Sequence, residues 1–127
     1  MSECLFCDFF NGIKPKKIIA IYTHCYVIED DFPVSKGHLL IIPKNHTENW
    51  FTASFDVKED IIKALDEMKI KLDEQYHPDG YNVGMNCGTT ARQSVYHLHV
   101  HLIPRYQGDV ENPKGGVRGV IPSKQGY

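Results

Sequence analysis

Three histidines alternate with aliphatic residues in the segment His97-Leu98-His99-Val100-His101-Leu102-Ile103. Successive side chains of a β-strand point to opposite faces, so this alternation predicts a strand over residues 97–103. Its three imidazoles would share one face, and Leu98, Val100 and Leu102 would share the other. On an α-helix the same spacing would scatter the rings around the axis. The segment therefore predicts a half-buried strand that carries a row of imidazoles.

Apolar periodicity elsewhere predicts the rest of a small α+β domain. Short apolar runs between turn residues predict strands over residues 18–22, 26–28, 38–42 and 81–86, and prolines follow two of the predicted strands as stops. A helix is predicted over residues 57–76, with Asp56 as its N-cap and Glu59 in a capping box. Its apolar stripe consists of Ile61, Leu65, Met68 and Leu72. We expect a small antiparallel sheet of about five strands with one main helix on a face.

Length and composition limit the class of protein. The 127 residues are the size of one domain, so residues 1–127 are expected to fold as a single unit ending in an irregular tail over 107–127. A formal charge of -2 argues against a binder of duplex nucleic acid, which normally has a basic excess. The sequence has neither a secretory pattern nor the roughly 20 apolar residues that span a bilayer. We therefore expect a cytoplasmic protein without membrane contact.

Cys4 and Cys7 form a CxxC pair within residues 1–17, a segment that we expect to be a loop. This spacing is half of a tetrahedral zinc site, which needs two more ligands. A redox-active pair is one alternative, although such a pair normally opens a helix that follows a strand. Two buried thiols without a metal are another. The pair alone does not decide between the three.

The row of imidazoles also has more than one interpretation. Alternate histidines on a strand can chelate a metal, and an exposed row can simply be solvated. Neutral imidazole is, in addition, a good nucleophile near neutral pH. The choice between catalysis and these alternatives depends on the surrounding residues.

Those residues resemble the signatures of the histidine-triad hydrolases. The run Gln93-Ser94-Val95-Tyr96 precedes the three histidines as in that family. Upstream, the pattern Asp30-x-x-Pro33-x-x-x-Gly37-His38-x-Leu40-x-Ile42-Pro43-Lys44-x-His46 is similar to its other signature, and Asn86 stands eleven residues before His97. The resemblance covers roughly residues 1–106. It implies a homodimeric enzyme that hydrolyses a nucleotide substrate.

The resemblance implies roles for individual residues. His99 would attack the α-phosphorus and form a covalent nucleotidyl-histidine, while its other ring nitrogen donates to a backbone carbonyl. His101 would lie near the phosphates and help protonate the leaving group. Asp30 would bind the ribose hydroxyls, although a shift of one residue would give this role to Asp31. The implied catalytic set is His97, His99, His101 and Ser94, and the implied nucleotide and phosphate ligands are Asn86, Gln93, Asp30, His99 and His101.

The same resemblance suggests a structural zinc ion. Some members with a CxxC pair complete the site with the histidine of the PKxH segment and with the first histidine of the triad. The expected ligands are therefore Cys4, Cys7, His46 and His97. Such a closed site would leave His99 free to attack. The zinc ion would then be structural, and the reaction itself would require no metal.

Substrate and assembly are less narrowly defined. His101 favours hydrolysis over transfer, and the segment Leu102-Ile103-Pro104-Arg105-Tyr106-x-Gly108-Asp109 resembles hydrolases of diadenosine polyphosphates. We therefore expect a dinucleoside polyphosphate, with a purine base, as substrate. A nucleoside phosphoramidate is an alternative, and a nucleotide-sensing protein with residual catalysis is an alternative from another class. The expected dimer interface comprises the predicted helix and the strand over 81–86.

Two further positions have open roles. Arg92 stands where many members carry glycine, and it is either a phosphate contact or a solvated loop residue. Lys114 and Arg118 would reach distal phosphates if the tail folds over the pocket, and would otherwise be solvated surface charges.

Overall fold

The computed structural model describes residues 3–126, which form one five-stranded sheet flanked by helices. The strands are β1 (Ala20–Ile21), β2 (Cys25–Glu29), β3 (Leu39–Pro43), β4 (Gly80–Gly84) and β5 (Val100–Arg105). Their spatial order is β1-β2-β3-β5-β4, and each neighbouring pair is antiparallel. The predicted α+β class and the predicted number of strands are confirmed.

Helix α1 (Leu5–Phe10) and helix α2 (Phe55–Tyr76) lie on opposite faces of this sheet. The prediction of Asp56 as the N-cap of α2 was wrong. Ser54 has an extended backbone, and its hydroxyl accepts a hydrogen bond from the Val57 amide at 3.3 Å. Asp56 instead lies in the first turn, where its charge complements the helix dipole. The helix ends at His77, which adopts a left-handed conformation.

The side chains of the central strands alternate between two apolar layers. One layer packs on α2, and the other packs on α1. The α2 layer includes Ile61, Ala64, Met68 and Leu72 of the helix together with Leu98, Val100 and Leu102, as the alternation of the histidine segment predicted. The α1 layer contains Phe6, Phe9, Tyr26, Ile28, Leu40 and Ile42.

Helix α1 corrects the prediction that residues 1–17 form a loop. Cys4 caps the helix, because its sulfur accepts a hydrogen bond from the Cys7 amide at 3.5 Å. Phe6 and Phe9 are buried on one side of this short helix. A helix of six residues is too short to show a recognisable apolar period in the sequence. A helix of this length is unstable on its own, and the burial of its two aromatic rings stabilises it.

The histidine strand is shifted relative to its predicted range of 97–103. Strand β5 begins at Val100, because the Leu98 amide leaves the sheet to donate to the Thr47 carbonyl at 2.8 Å. At its other end β5 continues through Pro104, which pairs with Tyr81 of β4. Strand β3 starts opposite Leu102, so Pro104 has only one strand neighbour, and its missing N–H is tolerated there.

The other boundaries differ by up to two residues. Strand β1 is shorter than predicted, β2 is longer by a residue at each end, β3 includes Pro43, and β4 ends before Asn86. Two short 3₁₀ turns, Gly116–Val120 and Pro122–Lys124, interrupt the tail that was predicted to be irregular. No helix within residues 3–126 combines the length and the apolar content needed to cross a membrane.

Candidate active site

A pocket of about 390 Å³ opens beside the histidine segment, on the α1 side of the sheet. Its polar lining includes His99, His101, Ser94 and Asn86. The remaining wall is mostly apolar and comes from α1, from the middle strands and from the loop that follows β2. Its apolar lining residues are Leu5, Phe6, Phe9, Ile28, Phe32, Val34, Leu40 and Val95. The volume and this mixed lining are those of a site for a small organic ligand.

His99 is buried, lines the pocket and is held in a defined tautomer. Its Nδ1 lies 2.9 Å from the carbonyl oxygen of His97, which can only accept, so Nδ1 carries the proton. The lone pair of the neutral ring is therefore on Nε2. The ring packs against Phe6, with the two centroids 4.9 Å apart. His99 thus offers a fixed, unprotonated nitrogen among the pocket residues, as expected for a nucleophile.

His101 is also held in one tautomer, through His38. The Val34 amide donates to Nδ1 of His38 at 3.1 Å, so the proton of the neutral His38 ring is on Nε2. That N–H donates to Nδ1 of His101 at 2.9 Å and leaves the His101 proton on Nε2. Burial lowers the pKa of His101 to about 4, with smaller contributions from His99 and His38. His101 is therefore a neutral hydrogen-bond donor at neutral pH.

Asp30 lies beside this pair of histidines. One carboxylate oxygen accepts a hydrogen bond from the Phe32 amide at 2.8 Å, and the other lies 3.4 Å from Nε2 of His38 and 3.9 Å from Nδ1 of His101. Asp31, the alternative ribose ligand, also lines the pocket but forms an ion pair with Lys16. The geometry therefore places Asp30 next to His38 and His101, and Asp31 towards α1.

The loop before the histidine segment is organised by Gln93. Its side-chain oxygen accepts from the Gly88 amide at 2.9 Å, and its nitrogen donates to the carbonyls of Glu48 and Val95 at 2.6 and 3.1 Å. The side-chain amide of Gln93 therefore links the loop before the histidine segment to the loop that contains Glu48. Ser94 reaches the pocket directly, whereas Arg92 is exposed and has a positive φ of 65°.

The four residues expected to bind zinc converge at the N-terminal side of the histidine segment. Their ligand atoms lie within 4.8 Å of one another. Nδ1 of His97 lies 3.2 Å from the sulfur of Cys4 and 3.5 Å from that of Cys7, and Nδ1 of His46 lies 3.6 Å from the Cys7 sulfur. A tetrahedral Zn²⁺ ion separates a sulfur ligand from a nitrogen ligand by about 3.6 Å. The cluster therefore fits a Cys₂His₂ zinc site.

The hydrogen bonding of His97 also suits a metal ligand. Its Nε2 donates to the carbonyl oxygen of Pro43 at 2.8 Å, so the lone pair on Nδ1 faces the two thiols. Metal-binding histidines commonly have such a carbonyl partner on the second nitrogen. The site therefore favours metal binding over the redox interpretation.

The tail folds beside the pocket. Gly116, Val117, Gly119 and Val120 help to enclose a second cavity of about 500 Å³, which shares Val34, His38, Asn86 and His101 with the first. The guanidinium of Arg118 donates to the Lys124 carbonyl at 3.2 Å, within the tail itself. Lys114 is exposed. The expected contact of these two residues with distal phosphates stays a prediction.

Sequence reasoning assigned no role to three residues that shape the site. His38 sets the tautomer of His101, and its position in the motif next to Gly37 was the available signal. Phe6 packs against both His97 and His99, with centroid distances of 5.9 and 4.9 Å. Lys16 lies at the pocket rim, where it pairs with Asp31 and lies over the ring of Phe9. These three residues come together only in the folded chain.

Comparison with known families agrees with this geometry. The model of the HIT domain matches residues 11–108, which is most of the chain. The chain belongs to the HIT domain family. An uncharacterised HIT-like protein of Methanocaldococcus jannaschii is 37% identical over 89% of this chain and 87% of its own length. An adenosine 5′-monophosphoramidase of Candida albicans is 35% identical, over 82% of this chain and 71% of that enzyme.

A solved HIT structure bears on the metal cluster. A zinc-bound histidine triad family protein from Mycobacterium smegmatis superposes with a TM-score of 0.79 and is 31% identical, covering 84% of this chain and 78% of that one. The HIT fold is therefore shared. The bound zinc is a feature of the mycobacterial protein, and the fit of the four ligand atoms in the present chain is independent of it.

Proposed function

We propose that this HIT protein hydrolyses nucleoside 5′-phosphoramidates, with His99 as the nucleophile. The observation that carries this proposal is the tautomer of His99, because the His97 carbonyl leaves the Nε2 lone pair unprotonated within a ligand-sized pocket. A nucleophile held in this way is ready to attack without first losing a proton.

The reaction proceeds in two displacements. In the first, Nε2 of His99 attacks the α-phosphorus, the bond from phosphorus to the leaving nitrogen breaks, and that nitrogen takes a proton from the solvent and leaves as an amine. In the second, water attacks the same phosphorus, the bond between phosphorus and His99 breaks, and a proton of the water returns to the solvent. The products are a nucleoside monophosphate and an amine.

The surrounding polar groups support the charge that develops. Phosphoryl transfer spreads negative charge over the equatorial oxygens, and donors must meet it there. Ser94, Asn86 and His101 line the same pocket as His99, and the ring of His101 lies 5.3 Å from that of His99 between centroids. The ribose binds at Asp30, and the base lies on the apolar wall formed by Phe6, Phe9 and their neighbours.

The choice of substrate class rests on the relatives. The sequence favoured a dinucleoside polyphosphate, with a phosphoramidate as the alternative. The enzyme from Candida albicans is named an adenosine 5′-monophosphoramidase, which supports the alternative.

The same proposal includes a structural zinc ion held by Cys4, Cys7, His46 and His97. Zn²⁺ bound there would fasten the N-terminal helix to the histidine segment and would have no open position for substrate. The chemistry remains with His99 and His101.

The test compares two substrates and two variants. The wild-type protein is expected to release AMP from adenosine 5′-phosphoramidate with a higher kcat/KM than from diadenosine tetraphosphate. His99→Ala should lower kcat/KM by at least about a thousandfold, since no other group can form the intermediate. Mass spectrometry of the quenched reaction should find a nucleotidyl group on the peptide that contains His99.

His77→Asn is the matched control, because His77 is exposed at the end of α2 and outside the pocket. It should retain wild-type turnover. Equal rates for His99→Ala and the wild type would exclude the mechanism. Tight binding of AMP without turnover of either substrate would support the nucleotide-sensing alternative instead.

A further inference from the structure

An ion pair lies at the rim of the otherwise apolar part of the pocket. Asp31 lines the pocket, and its carboxylate accepts a hydrogen bond from the ammonium group of Lys16. The side chain of Asp31 is 59% exposed, whereas that of Lys16 is only 13% exposed. Lys16 extends over the ring of Phe9, with its nitrogen 5.7 Å from the centroid. The ammonium group is therefore held in place, and the carboxylate remains accessible from the pocket.

The ion pair is separated from His99 by the rings of Phe6 and Phe9. The ring of Phe6 touches His99, and the next ring along the wall is Phe9, 6.2 Å from Phe6. Lys16 follows Phe9, so it is separated from the nucleophile by two aromatic rings. A nucleotide with its phosphorus at His99 and its ribose at Asp30 would place its base along these rings, with the outer edge towards Asp31.

An aromatic ring at the same rim supports this placement. Phe32 follows Asp31, lines the pocket and is 88% exposed. Such an exposed ring beside a pocket can stack on a base, and stacking does not discriminate strongly between bases. Discrimination would then depend on the polar groups at the base edge, which here are Asp31 and Lys16.

A carboxylate next to an ammonium group matches the edge of guanine. Ionised Asp31 has two acceptor oxygens and no donor. Guanine presents two neighbouring donors, N1–H and the N2 amino group, and beside them the acceptor O6. Adenine presents one amino group next to the acceptor N1, which would face the carboxylate unfavourably. Charge-assisted pairs of this kind are stronger than neutral hydrogen bonds.

We infer that the Asp31–Lys16 pair reads the base and makes this protein selective for guanine nucleotides. Asp31 accepts from N1–H and the N2 amino group, and Lys16 donates to O6. The inference rests on the proposed function for the placement of the phosphate at His99 and of the ribose at Asp30. It names the substrate class as guanosine 5′-phosphoramidates.

The test measures binding of nucleoside monophosphates by calorimetry, so it does not depend on turnover. The wild-type protein is expected to bind GMP about tenfold more tightly than AMP. Asp31→Asn should abolish this preference while leaving the affinity for AMP within about twofold. It should also improve binding of xanthosine 5′-monophosphate, because the new amide donates to the O2 atom that replaces the amino group of guanine.

Glu74→Gln is the control, since it removes one carboxylate charge at an exposed position of α2. It should keep the preference for GMP. Equal affinities of the wild type for GMP and AMP, or a preference that survives Asp31→Asn, would overturn the inference while leaving the proposed function intact. If none of these nucleotides binds, the placement of the nucleotide is wrong and both proposals fail.

Discussion

At the scale of single residues, the tautomers of His99 and His101 follow from backbone groups. The carbonyl of His97 determines where the proton of His99 lies, and the amide of Val34 determines that of His101 through His38. A side chain that is bonded to the backbone keeps its protonation pattern as long as the local fold persists. His99 therefore has its lone pair on Nε2, whereas His101 has its proton there, although they are the same residue type, two positions apart.

His101 should also make stability depend on pH. Burial is the main cause that lowers its pKa from 6.5 to about 4, His99 and His38 add to this, and Asp30 opposes it. Between these two pH values the unfolded chain binds a proton that the folded protein does not. The free energy of unfolding contributed by His101 is therefore complete above pH 6.5 and falls as the pH falls towards 4.

We expect this loss to reach about 1–2 kcal/mol between about pH 7.5 and about pH 5, allowing for the partial exposure of the ring. Urea unfolding of the wild type and of His101→Gln at both pH values measures it. The variant should lose less stability by that amount, and His77→Asn should behave as the wild type. Parallel losses in His101→Gln and the wild type would show that His101 does not carry the effect.

The sequence predicted which residues share a face of the sheet better than it predicted their contacts. Alternation alone separated the histidines from Leu98, Val100 and Leu102, because it depends only on the backbone period. The partner of Gln93 is Glu48, and the partner of Asp31 is Lys16, and neither follows from spacing. These pairs join segments that meet only after the loops have closed.

At the scale of elements, the N-terminal helix is the part that sequence reasoning missed. Helix α1 has only six residues, and its stability comes from the packing of Phe6 and Phe9 on the sheet. The strand boundaries shifted for a similar reason, since backbone partners such as Thr47 and Tyr81 decide where β5 begins and ends. The long helix α2 was predicted well because its apolar stripe extends over many turns.

Zinc should hold α1 against the histidine segment. The purified protein is expected to contain one equivalent of zinc, and Cys4→Ser should lose it. The melting temperature of this variant should fall by about 10 °C or more, because a structural zinc ion contributes several kcal/mol to a small domain. Metal analysis and thermal unfolding monitored by circular dichroism measure the two quantities.

Cys87→Ser is the matched control, since Cys87 lies in the loop after β4 and outside the cluster. It should retain both the zinc and the melting temperature. A Cys4→Ser protein with the full metal content and stability of the wild type would contradict the zinc proposal, whereas the roles of His99 and His101 would stand.

At the scale of the whole molecule, one side of the sheet is suited to self-association. Strand β4 lies at an edge, and its outer side has no strand partner within residues 3–126. Val83 in this strand is 46% exposed, and Ile70 on the neighbouring helix α2 is 59% exposed. Tyr81 joins the two elements through its hydroxyl, which donates to Asp73 at 2.6 Å. Edge strands with exposed apolar residues readily pair with another chain.

We therefore expect a symmetric dimer that forms through β4 and α2, as the family resemblance implied. Light scattering after gel filtration should give about twice the 14.5 kDa mass of the chain. Val83→Lys should shift the protein towards the monomer, since a lysine on an edge strand opposes pairing. Ile21→Lys is the control, because Ile21 is 61% exposed on the opposite edge strand β1. A monomeric wild type, or dissociation by Ile21→Lys alone, would contradict this interface.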